Sequence, residues 1–275
     1  MSRANGAPDV SPNGAPNGGD AAADAMPAPV TPGGVPTDRL FAEPAARPHD
    51  FAFDAGTVRV FDDMVSRSVP FYGEIQRMTG ELAAEFAEPG TALYDLGCST
   101  GTTMLQLERM VHPDVRFEGW DNSPEMVARA RARLAAEPSA RRRDVALADL
   151  HQPFALEGAS VAVMLFTLQF VRPLHRERVV RTIAEGLAPQ GALILAEKVT
   201  EDDTLFNRLF IERYYDMKRR HGYSDMEIAQ KREALENVLI PYRVEENRAL
   251  LLACGFTRVQ EFFRWYNFAG MIAVK

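Results

Sequence analysis

The sequence predicts a single α/β domain built on a mostly parallel sheet, and three observations carry that prediction. Runs with strand character alternate with helical patterns from Thr91 to Ala196, the order expected of parallel strands joined by right-handed helical crossovers. The first strand ends in Tyr94-Asp95-Leu96-Gly97-Cys98-Ser99-Thr100-Gly101 and passes straight into a helix. Two β-rich runs, Arg258–Trp265 and Phe268–Val274, close the chain without a helix between them, so one sheet edge is expected to be a hairpin. Sheets of this kind hold ligands outside the carboxyl ends of their strands, where the strand order reverses.

Taken in order, residues 1–37 are rich in Ala, Pro, Gly, Asn and Asp and nearly free of large apolar side chains. Such a segment buries too little surface to offset its ordering entropy, so it reads as a disordered N-terminal extension ahead of a domain over 38–275. Anchors in Asp50–Asp54 and Val58–Val65 follow helical spacing, and Pro70 interrupts it. Tyr72–Phe86 reads as an amphipathic helix through Ile75, Met78, Leu82 and Phe86, ending at Pro89-Gly90. Strands are expected at Thr91–Leu96, Arg116–Trp120, Asp144–Ala148, Ser160–Phe166 and Ala192–Ala196. Helices are expected at Thr102–Val111, from Pro124 to about Ala136, and at Arg176–Leu187. Asn122 or Ser123 caps the second of these, with Pro124 at its first position. A helical insertion occupies about 200–240, with helices over Asp203–His221 and Asp225–Leu239, and another covers Val244–Ala253.

The chain has 275 residues, of which 46% are hydrophobic and 25% charged, enough for a sizeable core. Its net charge of −7 gives no general attraction to nucleic acid. No apolar run reaches the roughly 18 residues of a membrane span. Two cysteines, Cys98 and Cys254, make no disulfide framework and suit a reducing, cytoplasmic setting. The five histidines are scattered without ligand spacing, so no metal is expected.

Acidic or small residues fall at the ends of the first three strands. Asp95, with Gly97, Ser99 and Gly101, is placed to accept from a ligand ammonium, directly or through water. Asp121 lies near the spacing at which an acid meets ribose hydroxyls. Asp149, with the following amide, is placed to read an adenine amino group. Any one of these alone is equally a helix cap or turn former. Together they favour a nucleoside bearing an amino-acid tail over a pyrophosphate, because the G-x-G-x-x-G spacing of dinucleotide sites is absent.

Asp95-x-Gly97-x-Ser99-x-Gly101 followed by Asp121 and Asp149 resembles the class I S-adenosylmethionine (SAM)-dependent methyltransferase fold. That resemblance implies a Rossmann-like α/β fold, a mostly parallel seven-stranded sheet with a terminal antiparallel hairpin, and a helical cap. Further motifs narrow it: Arg67-Ser68-Val69-Pro70-x-Tyr72, Asp121-Asn122-Ser123-Pro124, Phe166-Thr167-Leu168-Gln169-Phe170, and Gln230-Lys231-Arg232 with Leu235-Glu236-Asn237-Val238. With Tyr94–Ser99 these resemble the carboxy-S-adenosylmethionine synthase family, from about Asp38 to the C-terminus. The resemblance implies an enzyme that turns SAM and prephenate into carboxy-SAM and phenylpyruvate. The product then serves a tRNA carboxymethyltransferase that modifies the wobble uridine, without direct nucleic-acid or membrane contact by the synthase. It implies ligand contacts at Tyr72, Gly97, Cys98, Ser99, Asp121, Asn122, Asp149 and Leu150. It also implies a homodimer in which Arg232 crosses the interface to pair with the carboxylate of the carboxymethyl group, so that Arg232 and Tyr72 are the catalytic candidates.

The chemistry explains the arginine. A sulfonium methyl is weakly acidic, its ylide needs an electrophilic carbon, and a guanidinium fork suits the carboxylate that results. From composition alone Arg232, beside Lys231 and Glu233, reads instead as a solvated surface residue. One departure stands out: Leu165 occupies the place of a family asparagine on strand four, so that polar contact is lost or supplied elsewhere. Cys98 has no basic neighbour in sequence and reads as a small packing residue. The basic run Arg129, Arg131, Arg133 and Arg141–Arg143 reads as a solvated face. Arg67, Arg208, Arg213, Arg219 and Arg220 are candidates for binding prephenate. An ordinary SAM-dependent methyltransferase and a non-catalytic SAM-binding subunit of a tRNA-modifying complex are the alternative readings.

Overall fold

A computed structural model describes residues 36–45 and 49–275, so nearly all of the expected N-terminal extension lies outside the described residues. Seven strands form one sheet: β1 Ala92–Leu96, β2 Arg116–Asp121, β3 Arg143–Leu147, β4 Ala159–Leu165, β5 Leu187–Lys198, β6 Arg258–Trp265 and β7 Phe268–Val274. Their order is β3-β2-β1-β4-β5-β7-β6. The first five are parallel, and β7 runs antiparallel to both β5 and β6. From β1 the chain builds outward to β3, then returns to add β4 on the other side. That reversal puts the switch point between β1 and β4.

Helices cover both faces, as a buried parallel sheet requires. They are α1 Ala55–Ser68, α2 Tyr72–Phe86, α3 Thr102–Glu108, α4 Pro124–Ala136, α5 Pro173–Gly186, α6 Thr204–Arg220, α7 Asp225–Leu235 and α8 Val244–Ala253. Strand side chains alternate between two cores. Ala92, Tyr94 and Leu96 of β1 join Val179, Ile183 and Leu251 on one face. Leu93 joins Leu107, Phe117, Val127 and Val161 on the other.

Local signals set most boundaries. Asp54 caps α1 by accepting from the Thr57 amide at 2.9 Å. Ser123, rather than Asn122, caps α4 by accepting from the Met126 amide at 3.1 Å. Ser224 and Glu227 form a reciprocal capping box on α7. Several ends differ from expectation; α5, for example, begins at Pro173 rather than Arg176, and β3 spans Arg143–Leu147 rather than Asp144–Ala148. Helix α3 stops at Glu108 and α7 at Leu235, each tightening into three-residue turns ahead of Pro113 and Pro241. Strand β4 ends one residue early because Phe166 takes a left-handed φ of 59° and gives its amide to Ala196 at 2.6 Å. Strand β5 starts early, at Leu187, paired to Ala159 across a register shift.

The arginine run is a solvated face only in part: Arg129, Arg131 and Arg142 are exposed, whereas Arg133, Arg141 and Arg143 are half-buried. Arg131 donates to the Val145 carbonyl at 2.7 and 2.9 Å, and Arg143 pairs with Glu108 at 3.0 Å. Arg133 binds Asp62 and the Thr100 carbonyl, tying α1 to the turn after β1. Among the described residues no helix is long and apolar enough to cross a membrane.

Candidate active site

A cavity of about 210 Å³ opens over the carboxyl ends of the parallel strands. Its floor is the turn after β1. Gly97 sits at φ 85°, and a Cβ there would collide with Thr167 Oγ1, so glycine is required both for the backbone and for room. Ser99 and Gly101 also take left-handed φ values, 44° and 78°. The turn is fixed from β2: Asp121 accepts from the Ser99 amide through one oxygen and from the Ser123 amide through the other, both at 2.9 Å. Burial pushes the Asp121 carboxyl up against those two amides.

Asp95 ends up behind this floor. It is 2% exposed, and its Oδ2 has no partner among the described residues. Desolvation first, and then the nearby Asp121 charge, raise its pKa to about 7. A buried acceptor without a donor costs free energy, and a ligand ammonium would relieve that cost. Asp149 follows β3 and lines the cavity with Leu150. Burial works upward on Asp149, but the His151 amide at 2.9 Å and ring at 2.8 Å outweigh it and hold the carboxyl below its usual range.

Tyr72, Gly97, Ser99, Asp121, Asn122, Asp149 and Leu150 all line this cavity. Leu165 lines it too, so its wall at that point is apolar. Tyr72 opens α2 against Phe166, with ring centroids 6.2 Å apart, and desolvation raises its phenol pKa. Cys98 is not brought to the surface of the cavity. Its thiol packs in the opposite core, within 3.1 Å of where a Gly119 Cβ would stand, while its amide donates to the Trp120 carbonyl. An aromatic wall completes the roof: Phe53 stacks edge-on against both Phe51 and Phe170 at 5.2 and 5.3 Å.

Arg232 lies on α7, exposed, and lines a second cavity of about 160 Å³ rather than the first. Lys198, Tyr214, Lys231, Leu235 and Leu239 line both cavities, so the two adjoin. None of the five arginines considered for an anionic substrate lines either cavity. Arg67 pairs with Asp63 at 3.2 Å and stacks on Tyr223 at 4.1 Å. Arg208, Arg213 and Arg219 pair with surface acids of the α6–α7 region. The cations at the cavity are Lys198 and Lys231, which sequence reasoning passed over. The signal was faint: Glu197-Lys198 ends an otherwise apolar strand, and Lys231 stood inside a motif noticed for Arg232. Glu197 itself is structural. Raised to about 8 by burial, it accepts from the Leu168 and Gln169 amides at 3.0 and 2.8 Å and holds the turn that carries Thr167.

Comparison with known proteins places this geometry. A relative from Methylococcus capsulatus, named carboxy-S-adenosyl-L-methionine synthase, is 51% identical over 239 residues, spanning 86% of this chain and 99% of its own length. The chain belongs to the carboxy-S-adenosyl-L-methionine synthase family. Family members from Wolinella succinogenes and Escherichia coli O1:K1 carry the same name at 44% and 41% identity, each across 86% of this chain and 98% and 96% of their own. A family model described as a methyltransferase domain matches residues 93–191, from β1 into β5. Solved structures show the same fold. An O-methyltransferase family protein from Burkholderia thailandensis aligns with a TM-score of 0.60 at 18% identity, over 81% of this chain and 60% of its own. Human N-acetylserotonin methyltransferase in complex with SAM aligns at 0.54 and 15%, over 80% and 55%.

Proposed function

We propose that this protein converts SAM and prephenate into carboxy-SAM, phenylpyruvate and water. The single observation that carries the reading is a cavity acidic at one end and cationic at the other. Asp121 and Asp149 face it from β2 and β3, with Asp95 buried behind, whereas Lys198 and Lys231 face it from β5 and α7. The acidic end fits SAM: Asp95 Oδ2 lacks the donor that an ammonium would supply, Asp121 offers acceptors to ribose hydroxyls, and Asp149 precedes the amide of Leu150 on the cavity wall. Transfer of an unaltered methyl group would give the ammonium groups no anion to hold.

In the reaction the C–C bond to the ring carboxylate of prephenate breaks, releasing carbon dioxide, and its ring C–O bond breaks, releasing hydroxide. The ring becomes aromatic. Hydroxide removes a proton from the sulfonium methyl and leaves as water, and the carbon so exposed bonds to carbon dioxide. No side-chain base is then needed, which agrees with Tyr72 carrying a raised pKa at neutral pH. Arg232 pairs with the new carboxylate from the neighbouring subunit of a homodimer, a role supported by its exposure on α7. Cytoplasmic carboxy-SAM would then pass to a tRNA carboxymethyltransferase. Incubating the purified protein with SAM, with and without prephenate, tests the reading by product mass. A gain of one carbon dioxide over SAM, only with prephenate, is expected. Methyl transfer to RNA or a small acceptor without prephenate would overturn it.

A further inference from the structure

Beyond the SAM end of the cavity, the structure contains a cluster of lysines that no part of the fold explains. Lys198 ends β5, Lys218 lies on α6 and Lys231 on α7, and the last two are only 3% and 6% exposed. Buried ammonium groups are normally paired. Among the described residues the only carboxylate within ion-pair range of any of them is Asp38, whose Oδ2 stands 3.8 Å from Lys231 Nζ. That same oxygen already accepts from the Tyr223 hydroxyl at 2.6 Å. Lys231 Nζ has no hydrogen-bond partner among the described residues.

Aromatic faces take the place of anions. Lys198 and Lys218 lie over the Tyr214 ring at 5.0 and 5.6 Å, and Lys218 and Lys231 over the Tyr223 ring at 5.1 and 5.8 Å. Such contacts attract a desolvated cation, but by less than burial costs it. The other charges nearby do not neutralise the cluster. Arg67 is occupied with Asp63 at 3.2 Å, and Glu227 sits at the exposed start of α7 in its capping box. Desolvation accordingly pulls Lys198 and Lys231 down to about 8 and Lys218 to about 7. The cluster lies where the two cavities meet: Lys198 and Lys231 line both, and Lys218 lines the second.

We propose that Lys198 and Lys231 form the subsite for a dicarboxylate co-substrate at the junction of the two cavities, with Lys218 behind them as a positioning residue. The α6–α7 cavity is then the chamber of the carboxyl donor, adjoining the SAM chamber rather than overlapping it. Two ammonium groups on a wall that also carries Tyr214, Leu235 and Leu239 match an anion with two carboxylates and an apolar body. This inference deepens the function proposed above and rests on it.

Lys231→Met and Lys198→Met in the full chain test the assignment, with Lys198→Arg as the charge-conserving control. Among the described residues Lys198 has no carboxylate in ion-pair range, so Lys198→Met should melt no lower than wild type; Lys231→Met leaves Asp38 to the Tyr223 hydroxyl alone and should melt lower. Each should raise the KM for prephenate by about ten- to a hundredfold, the worth of a charged hydrogen bond. The Kd for SAM, measured by calorimetry without prephenate, should stay within about twofold, and Lys198→Arg should recover most of the loss. An unchanged prephenate KM in both Met variants, with the melting temperature of Lys198→Met lowered, would overturn the subsite and make the lysines structural. A loss of SAM affinity as large as that of prephenate would also overturn it. A second measurement separates this inference from the reaction itself: titrating benzylmalonate, an aromatic dicarboxylate, into wild type. Binding that Lys231→Met abolishes supports the subsite even if no carboxy-SAM forms. Absence of binding to wild type, where prephenate turnover is intact, refutes it.

Discussion

Asp95→Asn is the most informative single perturbation of the SAM end. The Asp95 carboxyl is 2% exposed and lifted from 3.8 to about 7 in the folded protein. Below about pH 4 the folded and unfolded chains both hold its proton. Between there and about pH 7 the folded chain keeps a proton that the unfolded chain has released, so its contribution to stability falls as pH rises and levels off above. The full displacement corresponds to about 4 kcal/mol at pH 8, and about 1.5 kcal/mol of it is already present at pH 5. Asparagine cannot ionise, so relative to wild type the variant should gain roughly 2–3 kcal/mol between pH 5 and pH 8. That is roughly 5–10 °C in Tm for a domain of this size. How well asparagine packs affects both pH values equally and drops out, as does Glu197, whose own rise to about 8 is common to both proteins. Thermal melts of the two proteins at both pH values, without ligand, provide the comparison. SAM affinity of the variant at pH 7.5 should fall at least about tenfold, because its amide presents one NH2 face to the ligand ammonium. A Tm difference that does not change with pH, or unaltered SAM affinity, would refute the assignment of Asp95 as a charged acceptor awaiting a ligand.

Gly97→Ala should weaken SAM binding and cost roughly 1–3 kcal/mol of stability, since φ 85° and the Thr167 side chain both oppose a Cβ. Paired with Thr167→Ala, part of that loss should return in denaturant titrations. Arg176→Met should lower stability by roughly 3 kcal/mol or more. The buried guanidinium serves the Gln169, Val171 and Ile240 carbonyls and stacks on Tyr242 at 4.1 Å. Arg232→Ala should abolish carboxy-SAM formation while leaving the SAM Kd unchanged by calorimetry, because the carboxylate it is proposed to pair with is absent from SAM. Native protein at pH 8 should resist thiol alkylation for hours, and become reactive on unfolding. Both cysteines are free and buried, and desolvation raises both thiols.

The parts of the fold that local chemistry dictates were legible in the sequence. Tyr72–Phe86 has its apolar stripe, Ser123-Pro124 its cap, and the runs Arg258–Trp265 and Phe268–Val274 their alternation, and each appears with those bounds. The ends of α3 and α7 were not, because a helix can tighten into a final turn without any change of residue pattern. At the site, Asp121 and Asp149 were visible because strand ends can be counted from sequence. The direction of the Cys98 thiol was not, since it depends on the space left by Gly119 on a neighbouring strand. The arginine run was partly misleading for a similar reason: Arg131, Arg133 and Arg143 are satisfied by carbonyls and acids remote in the chain. The lysines were the largest omission. Lys198, Lys218 and Lys231 come from three elements, and only folding brings them against Tyr214, Tyr223 and Asp38.

The central claim is that the carboxyl group placed on the sulfonium methyl comes from a dicarboxylate bound beside SAM. Prephenate labelled with carbon-13 in its ring carboxylate, incubated with the protein and unlabelled SAM, tests it most directly. Mass and NMR spectra should find the label in the carboxymethyl carboxylate of the product, with unlabelled phenylpyruvate formed in equal amount. Product carrying no label, or label remaining in phenylpyruvate, would contradict the account.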